Sequence, residues 1–270
     1  MKNITERALR AERFEDLEII DMHCHLSYTY NYYFPRAEIE DMMEDAGRMG
    51  VSKLCVAPHI ALSLDHRIGN RDTLDAIRKF PDRVLGMLVL NPNCPRSTAA
   101  EFDAYYAVEQ FVGAKIHPTS HRYPVDGPNY RPVFEQIRRR GGFVLVHTWE
   151  HGEYNNAAQC EGILRDFPDV KFIFAHAFGV NEGVPKSIDL VNRYGNAYMD
   201  TSGFEFSDVC IEWIMRRVDH DKVFFGSDLP FHDIRGGASR ILLAGLEDDV
   251  KRKLLGANFR AFLNACAKRS

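Results

Sequence analysis

The feature that most constrains this chain is a recurring unit: a short apolar run followed by a longer stretch with helical spacing of apolar residues. Residues 17–21, 53–57, 84–90, 114–117, 143–147, 171–176, 197–201 and 222–227 read as strands. Between them, 36–49, 65–80, 98–111, 130–140, 157–167, 186–194 and 207–218 read as helices, and 238–246 and 249–267 read as closing helices. Two of the helices are expected to stop at Phe80-Pro81 and Phe167-Pro168, because proline disfavours helical geometry in the residue before it. Strand–helix alternation of this kind needs parallel strands with crossover connections, and about eight units predict an α/β fold, a closed (β/α)8 TIM barrel. No internal repeat, low-complexity segment or glycine–serine linker marks a boundary, so residues 1–270 are expected to form a single domain with extra terminal helices. The first sixteen residues are expected to form a helix that covers the barrel floor.

Bulk properties exclude several classes. Hydrophobic residues make up 45% and charged residues 27%, a globular balance with no run able to span a bilayer. The opening residues mix acid and base and lack the apolar run of an export signal. Six cysteines are scattered without CxxC spacing, so reduced thiols and a cytoplasmic location are expected. A net charge of -4, with 34 basic residues spread along the chain, offers no basic stripe for nucleic acid.

The chemistry is carried by where the histidines fall. Of eleven, His23, His25, His59, His117, His147 and His176 all lie at or just past the C-terminal end of an expected strand, and those ends converge on the rim where barrel active sites are built. In Asp21-Met22-His23-Cys24-His25, strand alternation turns His23 and His25 to one side and Met22 and Cys24 to the other. Two imidazoles then face the axis at a separation suited to chelating one ion. Strands five and six end on His147 and His176, and strand eight on Asp228. Three or four nitrogens with one oxygen suit one divalent metal, Zn²⁺ first, with Mn²⁺ or Fe²⁺ as alternatives. An ion held by neutral imidazoles lowers the pKa of its water from about 16 to roughly 7. Asp228 can ligate and also accept the water's proton, while His176 can bond the water or polarise a carbonyl.

These residues belong to a wider pattern. With GAKIHP at 113–118, VLVHT at 144–148, FIFAHAFG at 172–179, YMDTSG at 198–203, FFGSDLPF at 224–231 and GANFRAFL near the end, the chain resembles the amidohydrolase superfamily. Within it, the chain is similar to the amidohydrolase-related group that includes aminocarboxymuconate semialdehyde and resorcylate decarboxylases. The resemblance implies a mononuclear site on His23, His25, His147 and Asp228, with His176 in the catalytic place. It also leaves open a binuclear form, with His176 as a ligand and Lys115 carboxylated as a bridge. A homodimer is expected on the same ground.

Substrate contacts are expected from Lys115 and His117, which alternate toward one side, Lys115 as a cation for an anionic group. Arg122 on the following loop, Trp149 after strand five and Tyr28 in the aromatic stretch after strand one are further candidates. The partner is thus a small molecule. The main expectation is a hydrolase of an amide, ester or lactone in which Asp228 shuttles the proton and His176 helps hold the oxyanion. The alternative is a non-oxidative decarboxylase on the same ligands. A TatD-like deoxyribonuclease stands third, because Lys115 replaces the acidic residue such enzymes carry there.

Overall fold

The computed structural model describes residues 3–29, 31–203 and 208–266; Tyr30, the Ser207 start of one expected helix and the residue 267 end of another lie outside them. Eight strands form one sheet: β1 (Ile20–Cys24), β2 (Lys53–Val56), β3 (Val84–Val89), β4 (Phe111–Ile116), β5 (Phe143–His147), β6 (Lys171–Ala175), β7 (Ala197–Asp200) and β8 (Val223–Phe224). All seven neighbouring pairs are parallel. The last strand returns to the first. Met22 N–H donates to the Phe225 carbonyl at 3.0 Å, Asp228 N–H donates to the His23 carbonyl at 2.8 Å, and Cys24 bridges Leu229. The (β/α)8 barrel follows.

Strand alternation sorts the core into two layers. Met87, Val89, Leu145 and Ile173 face the axis, whereas Leu88, Val144, Val146 and Phe172 pack under the surrounding helices. Helices His66–Lys79 and Ala157–Asp166 both end one residue before the phenylalanine that precedes a proline. Phe80 and Phe167 have ψ near 64° there, out of the helical region, as the following ring demands.

Three expectations need correction. β1 runs three residues later than 17–21, because its polar residues find partners on the neighbouring strands rather than ending the strand: Asp21 Oδ1 accepts from Ser227 N–H at 2.9 Å. Met22 shares the inner layer with Ile20, and because register against β2 slips between Asp21 and Cys24, His23 stands beside it instead of opposite it. Cys24 does face outward. The barrel floor is filled not by the N-terminal helix Ile4–Leu9, which docks outside through Thr5 Oγ1 on the Leu242 carbonyl at 3.3 Å, but by Phe259 and Phe262 of helix Asn258–Ala265, clustered with Phe143 and Phe224.

The final helix is also not continuous. A π-helical turn, Lys253–Ala257, interrupts it, and the cause is visible: Phe225 N–H, just past β8, donates to the Leu254 carbonyl at 3.0 Å, drawing that acceptor out of the helical ladder. A Cβ on Gly256 would stand 2.3 Å from the Glu18 carbonyl oxygen, so only glycine lets this turn approach the entry of β1 so closely.

Candidate metal centre

The bulge in β1 and the turn after β8 bring three ligand-type atoms together. His23 Nε2 and His25 Nε2 are 3.2 Å apart. Asp228 Oδ1 lies 3.1 Å from the latter and 3.6 Å from the former. Donors around a tetrahedral ion with bonds of about 2.0–2.1 Å sit roughly 3.3 Å apart, so this triangle fits a divalent metal. The rear of each ring agrees. His23 Nδ1 meets Asp200 Oδ2 at 2.8 Å, and His25 Nδ1 meets the Ala57 carbonyl at 2.8 Å. A carbonyl only accepts, and Asp200 is ionised, so both rings carry their hydrogen at Nδ1 and turn the Nε2 lone pair toward the site.

Electrostatics keeps these groups in ligand form. Burial, aided by the Lys115 ammonium, pushes the His23 imidazole down to about 3 against the pull of Asp200 and Asp228. Burial would raise the Asp200 carboxyl, but the imidazoles of His23 and His176 and the Ser202 hydroxyl outweigh it and bring it to about 2. Burial likewise opposes ionisation of Asp228, and the neighbouring His25, His176 and His23 imidazoles outweigh it, holding this carboxyl well below its ordinary range. Lys115 is fully buried with Nζ 2.9 Å from His23 Nε2. Burial lowers it to about 8 although Asp228 and Asp200 pull upward.

Asp228 and His176 occupy left-handed backbone, φ 68° and 60°, a conformation uncommon for such residues that costs on the order of 1–3 kcal/mol and clusters at functional sites. At His176 the backbone N–H is held by Asp200 Oδ1 at 3.0 Å. The turn that follows is tied by Phe178 N–H to Thr148 Oγ1 at 3.1 Å.

A cleft of about 310 Å³ opens over the triangle, lined by His25, His59, His117, His147, Trp149, His176 and Asp228, with Tyr32, Phe231 and His232 toward its mouth. His147 faces it with its ring stacked on His117 at 3.8 Å and edge-on to His176 at 5.0 Å. Its nitrogens lie outside the compact ligand groups, which are His23, His25 and Asp228 in one case and His23, His176 and Asp200 in the other. Three expected contacts fall elsewhere, the first being Lys115, which is fully buried against His23 and does not line the cleft. Arg122 caps the short helix Pro118–His121 and points to solvent, and Tyr28 lines a separate crevice with Glu38 and Asp72. A larger cavity of about 720 Å³ on the barrel flank contains none of the site residues.

Several groups were missed or only weakly marked in the sequence. Tyr32, Phe231 and His232 belong to the cleft, and His59, a weak candidate by itself, stacks on His25 at 4.4 Å and on Phe34 at 5.2 Å. For Tyr32 the only signal was the aromatic density of its loop. For His232 it was a position four residues beyond Asp228.

A parallel barrel whose rim gathers two histidines and an aspartate into a metal-sized triangle defines the class of metal-assisted barrel enzymes. The chain belongs to the amidohydrolase family, whose model matches residues 20–265. Among curated proteins it is similar to a 2-amino-3-carboxymuconate-6-semialdehyde decarboxylase of Dictyostelium discoideum, 21% identical over 247 residues, covering 76% of this chain and 68% of that protein. Among solved structures, a 2,6-dihydroxybenzoate decarboxylase from Rhizobium shares the fold with TM-score 0.75 and 15% identity over 92% of this chain and 99% of that one. A 5-carboxyvanillate decarboxylase from Novosphingobium aromaticivorans, solved with manganese, does so with TM-score 0.72 and 14% identity over 93% and 97%.

Proposed function

We propose that the chain is a metal-dependent, non-oxidative decarboxylase of small unsaturated or aromatic carboxylic acids, in preference to the hydrolase expected first. The observation that carries this is the likeness, over 76% of the chain, to a carboxymuconate semialdehyde decarboxylase. The ligand triangle and the small cleft of rings above it agree with the reading. Zn²⁺ or Mn²⁺ would be held by His23, His25 and Asp228, with His147 turned to the same cleft, and supplies Lewis acidity toward an oxygen-bearing substrate.

The chain's own residues do the rest. The carbon–carbon bond to the carboxylate breaks, its electron pair stays on the ring or vinyl carbon, carbon dioxide leaves, and that carbon takes a proton. His176 is the residue we assign to carry this proton, because Asp228 is held ionised by its neighbours and is a poor proton store. Trp149, Tyr32 and Phe231 give a planar substrate apolar faces to lie against. Hydrolysis of an amide, ester or lactone is the second reading, favoured by the family match.

The test is an assay of zinc- and manganese-loaded protein on 2-hydroxybenzoate-type acids, conjugated ene-carboxylic acids, lactones and amides. Release of carbon dioxide from the acids is the expected result. Turnover confined to lactones or amides would establish the hydrolase instead.

A further inference from the structure

Behind the cleft, two imidazoles are held by groups that can bond in only one direction. Asp200 Oδ1 receives the backbone N–H groups of His176 and Ser202, each at 3.0 Å, and lies 2.6 Å from Ser202 Oγ. Two oxygens that close need a hydrogen between them, and an ionised carboxylate has none to give. The hydroxyl hydrogen of Ser202 is therefore committed to Asp200, and its oxygen is left to accept. His176 Nδ1, 3.0 Å from that oxygen, must bring its own hydrogen. In the neutral ring, Nε2 then carries the lone pair.

His117 has the reverse arrangement. The backbone N–H of Ser120 donates to His117 Nδ1 at 3.2 Å. An amide N–H only donates, so Nδ1 holds the lone pair and Nε2 carries the hydrogen. Both rings line the cleft.

We propose that the cleft is built with one fixed acceptor, His176 Nε2, and one fixed donor, His117 Nε2–H, and that Ser202 and the Ser120 amide are the positioning groups that set this polarity. Such a cleft selects a substrate that offers a hydrogen to one imidazole and an oxygen to the other, as a hydroxy- or amino-substituted carboxylic acid does. It rejects analogues of the same shape in which that hydroxyl is alkylated or acylated, which have no hydrogen to give. His176 meets the substrate as a proton acceptor before it acts as a donor, which removes it from the role of resting oxyanion donor. Its use in proton transfer rests on the decarboxylase reading; the polarity itself does not.

The experiment is long-range ¹⁵N–¹H NMR of zinc-loaded protein labelled at histidine, near neutral pH, with His176→Gln and His117→Gln used for assignment. The expected spectrum shows unprotonated nitrogens at His176 Nε2 and His117 Nδ1. A hydrogen on His176 Nε2 or on His117 Nδ1 in the unmodified protein overturns the proposal, whatever reaction the enzyme performs. Ser202→Ala should scramble the His176 tautomer and lower kcat about tenfold with little change in KM, whereas Ser202→Thr, which keeps the hydroxyl, should restore the fixed tautomer. A fixed tautomer in Ser202→Ala would equally refute the role of Ser202. Absence of decarboxylation with both tautomers as expected would sink only the reaction.

Discussion

Replacing Asp200 with asparagine isolates the contribution of the residue behind the first ligand. The carboxylate accepts from His23 Nδ1 through Oδ2 at 2.8 Å, and through Oδ1 from two backbone N–H groups at 3.0 Å and from the Ser202 hydroxyl at 2.6 Å. An amide has a single acceptor oxygen. Three donors on the Oδ1 side claim it, which leaves the NH₂ group facing His23 Nδ1–H, donor against donor. His23 can escape by moving its hydrogen to Nε2, but that removes the lone pair a metal needs. If it keeps the ligating tautomer, its hydrogen has only the Ser202 hydroxyl oxygen, 2.9 Å from Nδ1, to bond, and it forfeits a charge-assisted bond worth about 1.5–3 kcal/mol. At about 1.4 kcal/mol per decade, Asp200→Asn should weaken zinc binding roughly 10- to 100-fold while the barrel still folds. Competition with a chelator of known affinity measures the loss, and circular dichroism checks the fold. An affinity within twofold of the unmodified protein would show that Asp200 does not set the His23 tautomer, and the orientation argument for the ligand triangle would fall with it.

Other predictions test neighbouring parts of the structure. Ion removal by chelator should lower the melting temperature, and excess Zn²⁺ or Mn²⁺ at about a hundredfold over Kd should restore roughly 3 kcal/mol, about 5–10 °C; a melting temperature blind to metal would count against the site. Arg122→Ala should leave kcat/KM within about twofold, since this side chain faces solvent outside the cleft, and a tenfold fall would restore the substrate role expected from sequence. Burial, with His66 adding, holds the His121 imidazole down at about 4, against about 6.5 in an unfolded chain. The unfolded state therefore binds the proton first: the stabilisation from neutral His121 is complete above about pH 6.5 and is lost as pH falls toward 4, by at most about 3 kcal/mol. Denaturant titrations of the unmodified protein and His121→Gln across that range should show a shallower pH slope in the variant, and parallel slopes would contradict the assignment.

The barrel was legible because its signal is dense: outward residues such as Val144, Val146 and Phe172 and inward ones such as Leu145 and Ile173 write nearly unbroken apolar runs, as strands covered on both faces must. Polarity misled where the barrel interior supplies partners. Asp21 and His23 read as the end of a strand, yet Ser227 N–H meets Asp21 Oδ1 and Asp200 meets His23 once the sheet closes, so β1 extends through the polar segment. Loop positions were legible in type but not in direction. Arg122 follows a helix of only four residues and adopts left-handed backbone at its end, which turns it outward, and no periodicity records that turn.

The site divides along the same line. His23, His25, His147, His176 and Asp228 could be picked out because they hang at the ends of four apolar runs, the first two sharing one, and a barrel rim collects whatever stands there. What orients them depends on pairs that only closure creates: Asp200, from β7, stands behind His23, from β1, because β8 pairs with both, and the Ala57 carbonyl stands behind His25 because β2 runs beside β1. A carbonyl leaves no mark in a sequence, and an aspartate in YMDTSG has no evident partner until the sheet curls round. The ligand types are thus written residue by residue, whereas the lone-pair directions that make them ligands are a property of the closed barrel. A substitution at Gly226, where a Cβ would stand 2.8 Å from His23 Cβ, should therefore weaken metal binding without replacing a ligand.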